Sequence, residues 1–446
     1  MCFIEKIRRG SLFGLMFLAV LLVGSSVCAN EKNIKIGIIG PMKFVLGEQM
    51  RVAAEMAAEE INAAGGIDVS GEKYNIELVI RDDNSELSLV DALNAFKRLV
   101  LVDKVHFVVG GHRSESVLAM QKVMADNKIV FINSGAGHPE IMGRIGKNYD
   151  KYKYMFRTQV NNRHLTPYLL FHTVGTAAGA LKEQLGITKP RVAIIVEKTI
   201  AGDAFTRAAK AVLPKMGMEI VGTWRPSATA TDMTGELAAI KAAEPHIIFN
   251  FFPGPAGIAL SRGWGELQIP ACLAGMNGEA ARKKHWENTG GMCNYEIISS
   301  HIGPVKVSDV TLPFRNKFIE KLVDYPLYNA PLTYDAVFVL KEGIERAGTL
   351  DPDAVVKALE KTDHIGAIGR IVFKPKGDKY PHDTILGPGY VTWVGSQWQD
   401  GDLVGVSPDG KRMMFGDESW KGVRYEGTKS CKLPPWVVEY WKAKKQ

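Results

Sequence analysis

Apolar positions along this chain keep two rhythms in turn. Short apolar-rich runs over 34–39, 76–81, 106–109 and 129–132 read as strands that share one sheet. Between the first two, Val52, Ala53, Met56, Ala57, Ile61 and Ala64 recur at helical spacing, and Gly65-Gly66 stop the helix. Segments 87–102 and 116–126 repeat that spacing. A loop rich in Gly, Lys and Tyr is expected over 143–154. The pattern then restarts, with strands predicted over 191–196, 219–222, 247–251, 271–274 and 296–300. Helices are predicted over 167–185, 204–216, 234–243, 256–267 and 279–287, then over 310–322, 334–347 and 353–361. From residue 365 onward Gly, Pro and Trp become frequent, and alternation such as 390–394 predicts hairpins. Repeated β-α alternation on both sides of one central loop predicts an α/β chain with two doubly wound parallel sheets. Ligands of such sheets sit beyond the carboxyl ends of the strands, which marks the loop 40–47 as a candidate binding loop.

The first residues break this pattern. Lys6, Arg8 and Arg9 precede an apolar stretch over 12–23, too short to span a bilayer, and Val27-Cys28-Ala29 fits a secretory cleavage site. Cleavage is expected after Ala29, making 1–29 a signal peptide and the mature chain periplasmic. Val27 is bulkier than the residue that usually precedes a lipidated cysteine, which favours a soluble product over a lipoprotein. Of 446 residues, 417 then remain, enough for two domains. The formal charge of +7 is spread thinly, with no basic run interleaved with aromatics, so nucleic acid is not implied. Lys442, Lys444 and Lys445 read as a solvated tail.

Cys272, Cys293 and Cys431 survive cleavage, and none stands in a CxxC, so a structural zinc site is unsupported. If a disulfide forms, Cys272 with Cys293 is the expected pair; three buried thiols are the alternative. There is no GxSxG, HExxH or GxxxxGK[ST], and no cofactor or metal site is expected.

Several segments in order carry a resemblance. They are IGIIGPM with Gly47, AAEEINAAGGI, 79–82, FVVGGHRSES, IVFINSGAG with HPEI, MFRT, VAIIVEKTIAGDAF, PLTYDAV and IVFKPKGD. Together they resemble type I periplasmic solute-binding proteins, the branched-chain amino-acid-binding group that serves ABC importers. The resemblance implies two lobes joined by three crossovers, about 31–157 plus 301–388 and about 158–300 plus 389–446. It implies a monomer that clamps one small ligand and docks on ABC permease subunits. The scaffold also serves amide-sensing regulators, so a ligand sensor is the alternative reading, and a secreted hydrolase a further one.

By the same resemblance, Ser114 matches the serine that holds a ligand carboxylate. The turn Ser134-Gly135-Ala136-Gly137 has Gly137 where the family carries Thr. Ala201 stands where Tyr is common, and Asn277 stands where amino-acid binders carry an acid. With these anchors altered and Arg113, His112, His138 and Lys198 in the strand-end loops, the expected ligand is an organic anion without an obligatory α-ammonium. Arg113 is placed for a bidentate grip on a carboxylate. Met42, Phe44, Phe252 and Tyr328 are candidate apolar walls, with a core role as the alternative for the last two.

Overall fold

The computed structural model describes residues 32–412, 414 and 417–444; the predicted leader and its cleavage site lie outside them. Two sheets organise the chain. The first has the spatial order β2 (Ile67–Val69), β3 (Glu72–Asp82), β1 (Asn33–Gly40), β4 (Phe107–Gly110), β5 (Val130–Asn133) and β6 (Met155–Arg157). All its pairings are parallel except β2 with β3. Ile38 of β1 faces Ile80 on one side and Val109 on the other. Strands β4 and β5 are buried along their whole length, as strands covered by helices on both faces must be.

The second sheet has the order β15 (Asp402–Ser407), β14 (Val394–Gln399), β11 (Ile297–Ser300), β10 (Cys272–Asn277), β9 (Ile247–Phe252), β7 (Arg191–Val196) and β8 (Glu219–Trp224). Here β7 to β11 run parallel, and β14 and β15 add an antiparallel hairpin to the edge. A separate hairpin pairs β12 (Asp363–Gly366) with β13 (Gly369–Val372). The chain passes between the sheets three times: after Arg157, after Ser300 and before Val394. This is the two-lobed α/β architecture the alternation predicts.

A buried clasp holds the first passage. Arg157 donates from Nε and Nη2 to the two carboxylate oxygens of Asp383, at 2.8 and 2.7 Å, and from Nη1 to the His138 carbonyl at 3.0 Å. Asn161 Nδ2 adds a bond to Asp383 at 3.0 Å, and its Oδ1 caps the helix Asn162–His172. Both members of the ion pair are sealed from solvent.

Four local expectations are corrected. The predicted loop over 143–154 is two helices, Pro139–Lys147 and Tyr149–Tyr152; His138 and Pro139 start the first, with His138 Nδ1 accepting from the Glu140 amide. Gly146 is needed there by packing, because a Cβ on it would lie 2.7 Å from the Lys379 carbonyl. The single helix predicted over 167–185 breaks at Thr173 into Asn162–His172 and Val174–Leu185. Thr173 and Thr176 turn their hydroxyls back onto the Leu169 and His172 carbonyls, a bonding that bends helices. Cys272 and Cys293 are both free thiols, as is Cys431. Cys272 packs in the main core and Cys293 in a separate cluster with Trp398 and Tyr325, so the expected bridge is not made. Finally, the C-terminal segment is a docked helix, Pro435–Ala443, rather than a tail, with Lys442 and Lys444 exposed as expected and Lys445 outside the described residues. Trp436 and Trp441 donate to the Ile269 and Pro270 carbonyls, and Lys444 pairs with Glu244.

Candidate functional site

In each sheet the strand order reverses at one place, and the carboxyl ends there form the natural binding crevice. In the first sheet that place lies between β1 and β4. The loop after β1 turns sharply into the helix Val45–Ala63, and a Cβ on Gly47 would meet the Pro41 carbonyl at 2.1 Å. The loop leaves Met42 half-buried and Phe44 40% exposed. The loop after β4 carries His112, Arg113 and Ser114. Neither the helix Val45–Ala63 nor the helix Ser114–Asp126 has a side chain capping its first-turn amides. Their neighbours do: Ser88 caps Leu89–Leu101, and His138 caps Pro139–Lys147. Two uncapped helix N-termini therefore follow adjacent strands, and each offers free N–H groups and the positive end of a helix dipole.

Arg113 stands at the second of these N-termini with its side chain about half exposed. Its Nε lies 3.0 Å from Glu115 and its Nη1 3.5 Å from Glu86. Glu86 also accepts from His112 Nε2 at 2.8 Å, and His112 Nδ1 lies 3.2 Å from the Tyr328 hydroxyl. The His112 bond is the main reason that the Glu86 carboxyl is held below its usual range. Burial pushes the Tyr328 hydroxyl up. The His301 ring lies 6.1 Å from that of Tyr328 and its Nε2 accepts from Trp393 at 2.8 Å, so Tyr328 links the strand-end loop to the crossovers.

In the second sheet the order reverses between β7 and β9. Glu197, the residue after β7, is 5% exposed. Thr199 Oγ1 donates to its Oε1 at 3.3 Å, while Oε2, facing Gly254 beyond β9, has no hydrogen-bond partner among the described residues. Desolvation raises its pKa above the usual carboxylate value.

A family model described as periplasmic binding protein matches residues 33–387. The chain belongs to this family. Among relatives of this binding protein, a Leu-, Ile-, Val-, Thr- and Ala-binding protein of Pseudomonas aeruginosa is 27% identical over 81% of this chain and 92% of its own length. Two solved structures show the same fold. The branched-chain amino acid transporter substrate-binding protein of Streptococcus pneumoniae, in complex with isoleucine, aligns with a TM-score of 0.65 at 19% identity, over 83% of this chain and 98% of that one. An ABC-transporter solute-binding protein of Rhodopseudomonas palustris, in complex with 3,4-dihydroxybenzoic acid, gives 0.63 at 18% identity, over 84% and 95%.

The remaining predicted residues of this periplasmic binding protein divide by what their side chains already hold. Ser134 shares a hydrogen bond of 2.8 Å with Thr333. The amides of Gly135 and Ala136 point at Asn133 Oδ1, at 3.3 and 3.0 Å. At Gly137 a Cβ would lie 2.2 Å from Asn162 Oδ1, so Asn162 fills the room any larger residue there would need. Asn277 is buried with its amide donating to Gly257, Ser261 and Glu296, at 3.1, 3.0 and 2.9 Å. Its Oδ1 accepts from the Glu279 and Ala280 amides. Phe252 is wholly buried within the second lobe's core. Lys198 and Ala201 are exposed. The fold thus gathers Met42, Phe44, Arg113, Ser114 and Tyr328 at the first sheet's switch point. It commits the side chains or amides of Ser134, Gly135, Ala136 and Asn277 to internal bonds. Glu86 and Glu197 are absent from the sequence expectation. The signal that would have found them is position alone: each follows a strand of its sheet within a few residues.

Proposed function

We propose that this protein captures a small organic carboxylate between its lobes and delivers it to an ABC permease. The uncapped start of the helix Ser114–Asp126 beside Arg113 carries the reading. Its first-turn amides, the Ser114 hydroxyl and the guanidinium together suit one carboxylate, with charge-assisted bonds of roughly 1.5–3 kcal/mol each. Met42, Phe44 and Tyr328 supply a wall for an apolar or aromatic body. At the far end, the unengaged Oε2 of Glu197 suits a hydrogen-bond donor on the ligand. A hydroxylated aromatic acid, such as the Rhodopseudomonas protein holds, offers both groups. Glu197 also supports a second reading, in which the donor is the ammonium of an amino acid.

Capture needs no covalent step. The lobes, 31–157 with 301–388 and 158–300 with 389–446, would close about the three crossovers because the ligand contacts both only when they meet. The leader through Ala29 would be removed on export.

A thermal-shift screen over benzoates, hydroxybenzoates, short aliphatic carboxylates, branched-chain amino acids and amides identifies the ligand, since binding raises the melting point by mass action. For the best binder, Arg113→Ala should weaken affinity at least tenfold, about 1.4 kcal/mol. Glu197→Gln separates the two readings. An ammonium ligand should lose at least as much as in Arg113→Ala, whereas a hydroxyl ligand should lose less than tenfold, because glutamine still accepts its hydrogen bond. A polyamine that binds ahead of every carboxylate, or unchanged affinity in Arg113→Ala, refutes the proposal.

A further inference from the structure

Where the helix Thr311–Leu322 meets the end of β11, a second charged side chain lies between the lobes without a protein partner among the described residues. Arg315 is on the helix Thr311–Leu322, which Lys317 and Lys321 tie to the first lobe through Glu60 and Glu59, at 2.5 and 2.7 Å. Its guanidinium rests over the Tyr325 ring, 4.9 Å from the centroid. Among the described residues no acceptor is hydrogen-bonded to it and no carboxylate lies within 4.0 Å of it. The acid that faces it from a distance, Asp402, is engaged by the Tyr325 hydroxyl and the Leu403 amide. The guanidinium is partly buried, and its nitrogens keep enough surface to take a partner from solution.

The opposite wall of the crevice comes from the second sheet. Ser300 of β11 and Ser396 of β14 line it, and neither hydroxyl has a hydrogen-bond partner among the described residues. Ile302, Pro326 and Leu403 complete an apolar surround, and no carboxylate belongs to the lining. The space is about 20 Å³, room for the centre of one water-sized atom or ion and too little for an organic acid. A guanidinium is weakly hydrated and, with two serines lining the same crevice, matches a monatomic anion.

We propose that Arg315, Ser300 and Ser396 bind one chloride ion between the lobes, at a site separate from the ligand loops. Two measurements test it. In the first, the mature, ligand-free protein is unfolded thermally in sodium chloride and in sodium gluconate at equal ionic strength. Chloride should raise the melting temperature along a saturating curve, and Arg315→Met should abolish the difference. Ser396→Val, which keeps the cation, should move the curve to at least threefold higher chloride; it serves if Arg315→Met does not fold. In the second, crystals grown in sodium bromide should show an anomalous peak beside the Arg315 guanidinium. Identical curves in the two salts, a chloride response retained in Arg315→Met or unshifted in Ser396→Val, or water in place of the bromide peak would overturn the assignment.

Discussion

At the scale of single residues, Asn277 shows how a polar side chain at the end of a strand is locked in by its surroundings. Its amide donates to Glu296, whose carboxylate also accepts from Ser261 and meets His285 Nε2 at 3.1 Å, all buried. Replacing Asn277 with aspartate would set two carboxylates against each other in a dry site. Asn277→Asp should therefore cost at least about 3 kcal/mol in urea unfolding and should not create affinity for amino acids. A stable variant with new leucine binding would show that the network yields to the ligand. The presence of Asn277 is plain in the sequence; its commitment is not, because Ser261, His285 and Glu296 are brought to it by three separate elements. The same holds for Ser134, whose partner Thr333 lies nearly two hundred positions away.

At the scale of elements, the strands were legible and their limits less so. Strand β7 is found where its five consecutive apolar residues put it, whereas the helix Pro139–Lys147 was missed because its two glycines read as loop. Asp335, in the PLTYDAV segment, has a role that periodicity cannot show. Its carboxylate accepts from the Ala367 and Ile368 amides, at 2.8 and 3.1 Å, and so pins the turn between β12 and β13 to the helix Asn329–Ala347. Burial raises its pKa to about 6, well above the ordinary aspartate range. The folded state thus holds this proton more tightly than the unfolded chain. Its contribution to stability should fall as pH rises from about 4 to about 6 and stay level above that. Denaturation of the wild type and Asp335→Asn across that range should differ in slope; parallel curves would place the proton elsewhere. The Arg157–Asp383 clasp gives a further test. Asp383→Ala leaves Arg157 buried and unpaired, and should cost about 3–5 kcal/mol in chemical denaturation, with Arg157→Met plus Asp383→Leu costing less than the single change.

At the scale of the whole molecule, two sheets joined by three crossovers are built for rigid-body closure. Adding a saturating ligand should lower the radius of gyration in small-angle scattering while far-ultraviolet dichroism stays unchanged; an unchanged radius would count against closure. The overall architecture was readable because β-α alternation is a local pattern summed over the chain. The two switch points were not, since the order of strands in space is set by contacts between distant segments. One more consequence follows from the tryptophans of the final helix. Trp436 and Trp441 fasten it to Ile269 and Pro270, just ahead of β10, at the amino ends of the parallel strands. A strand of six residues spans roughly 20 Å, so the chain's last described residues sit that far from the loops at the opposite ends. A tether joined to the C-terminus would hold the molecule with its mouth turned away from the support, an orientation suited to immobilisation on a sensor surface.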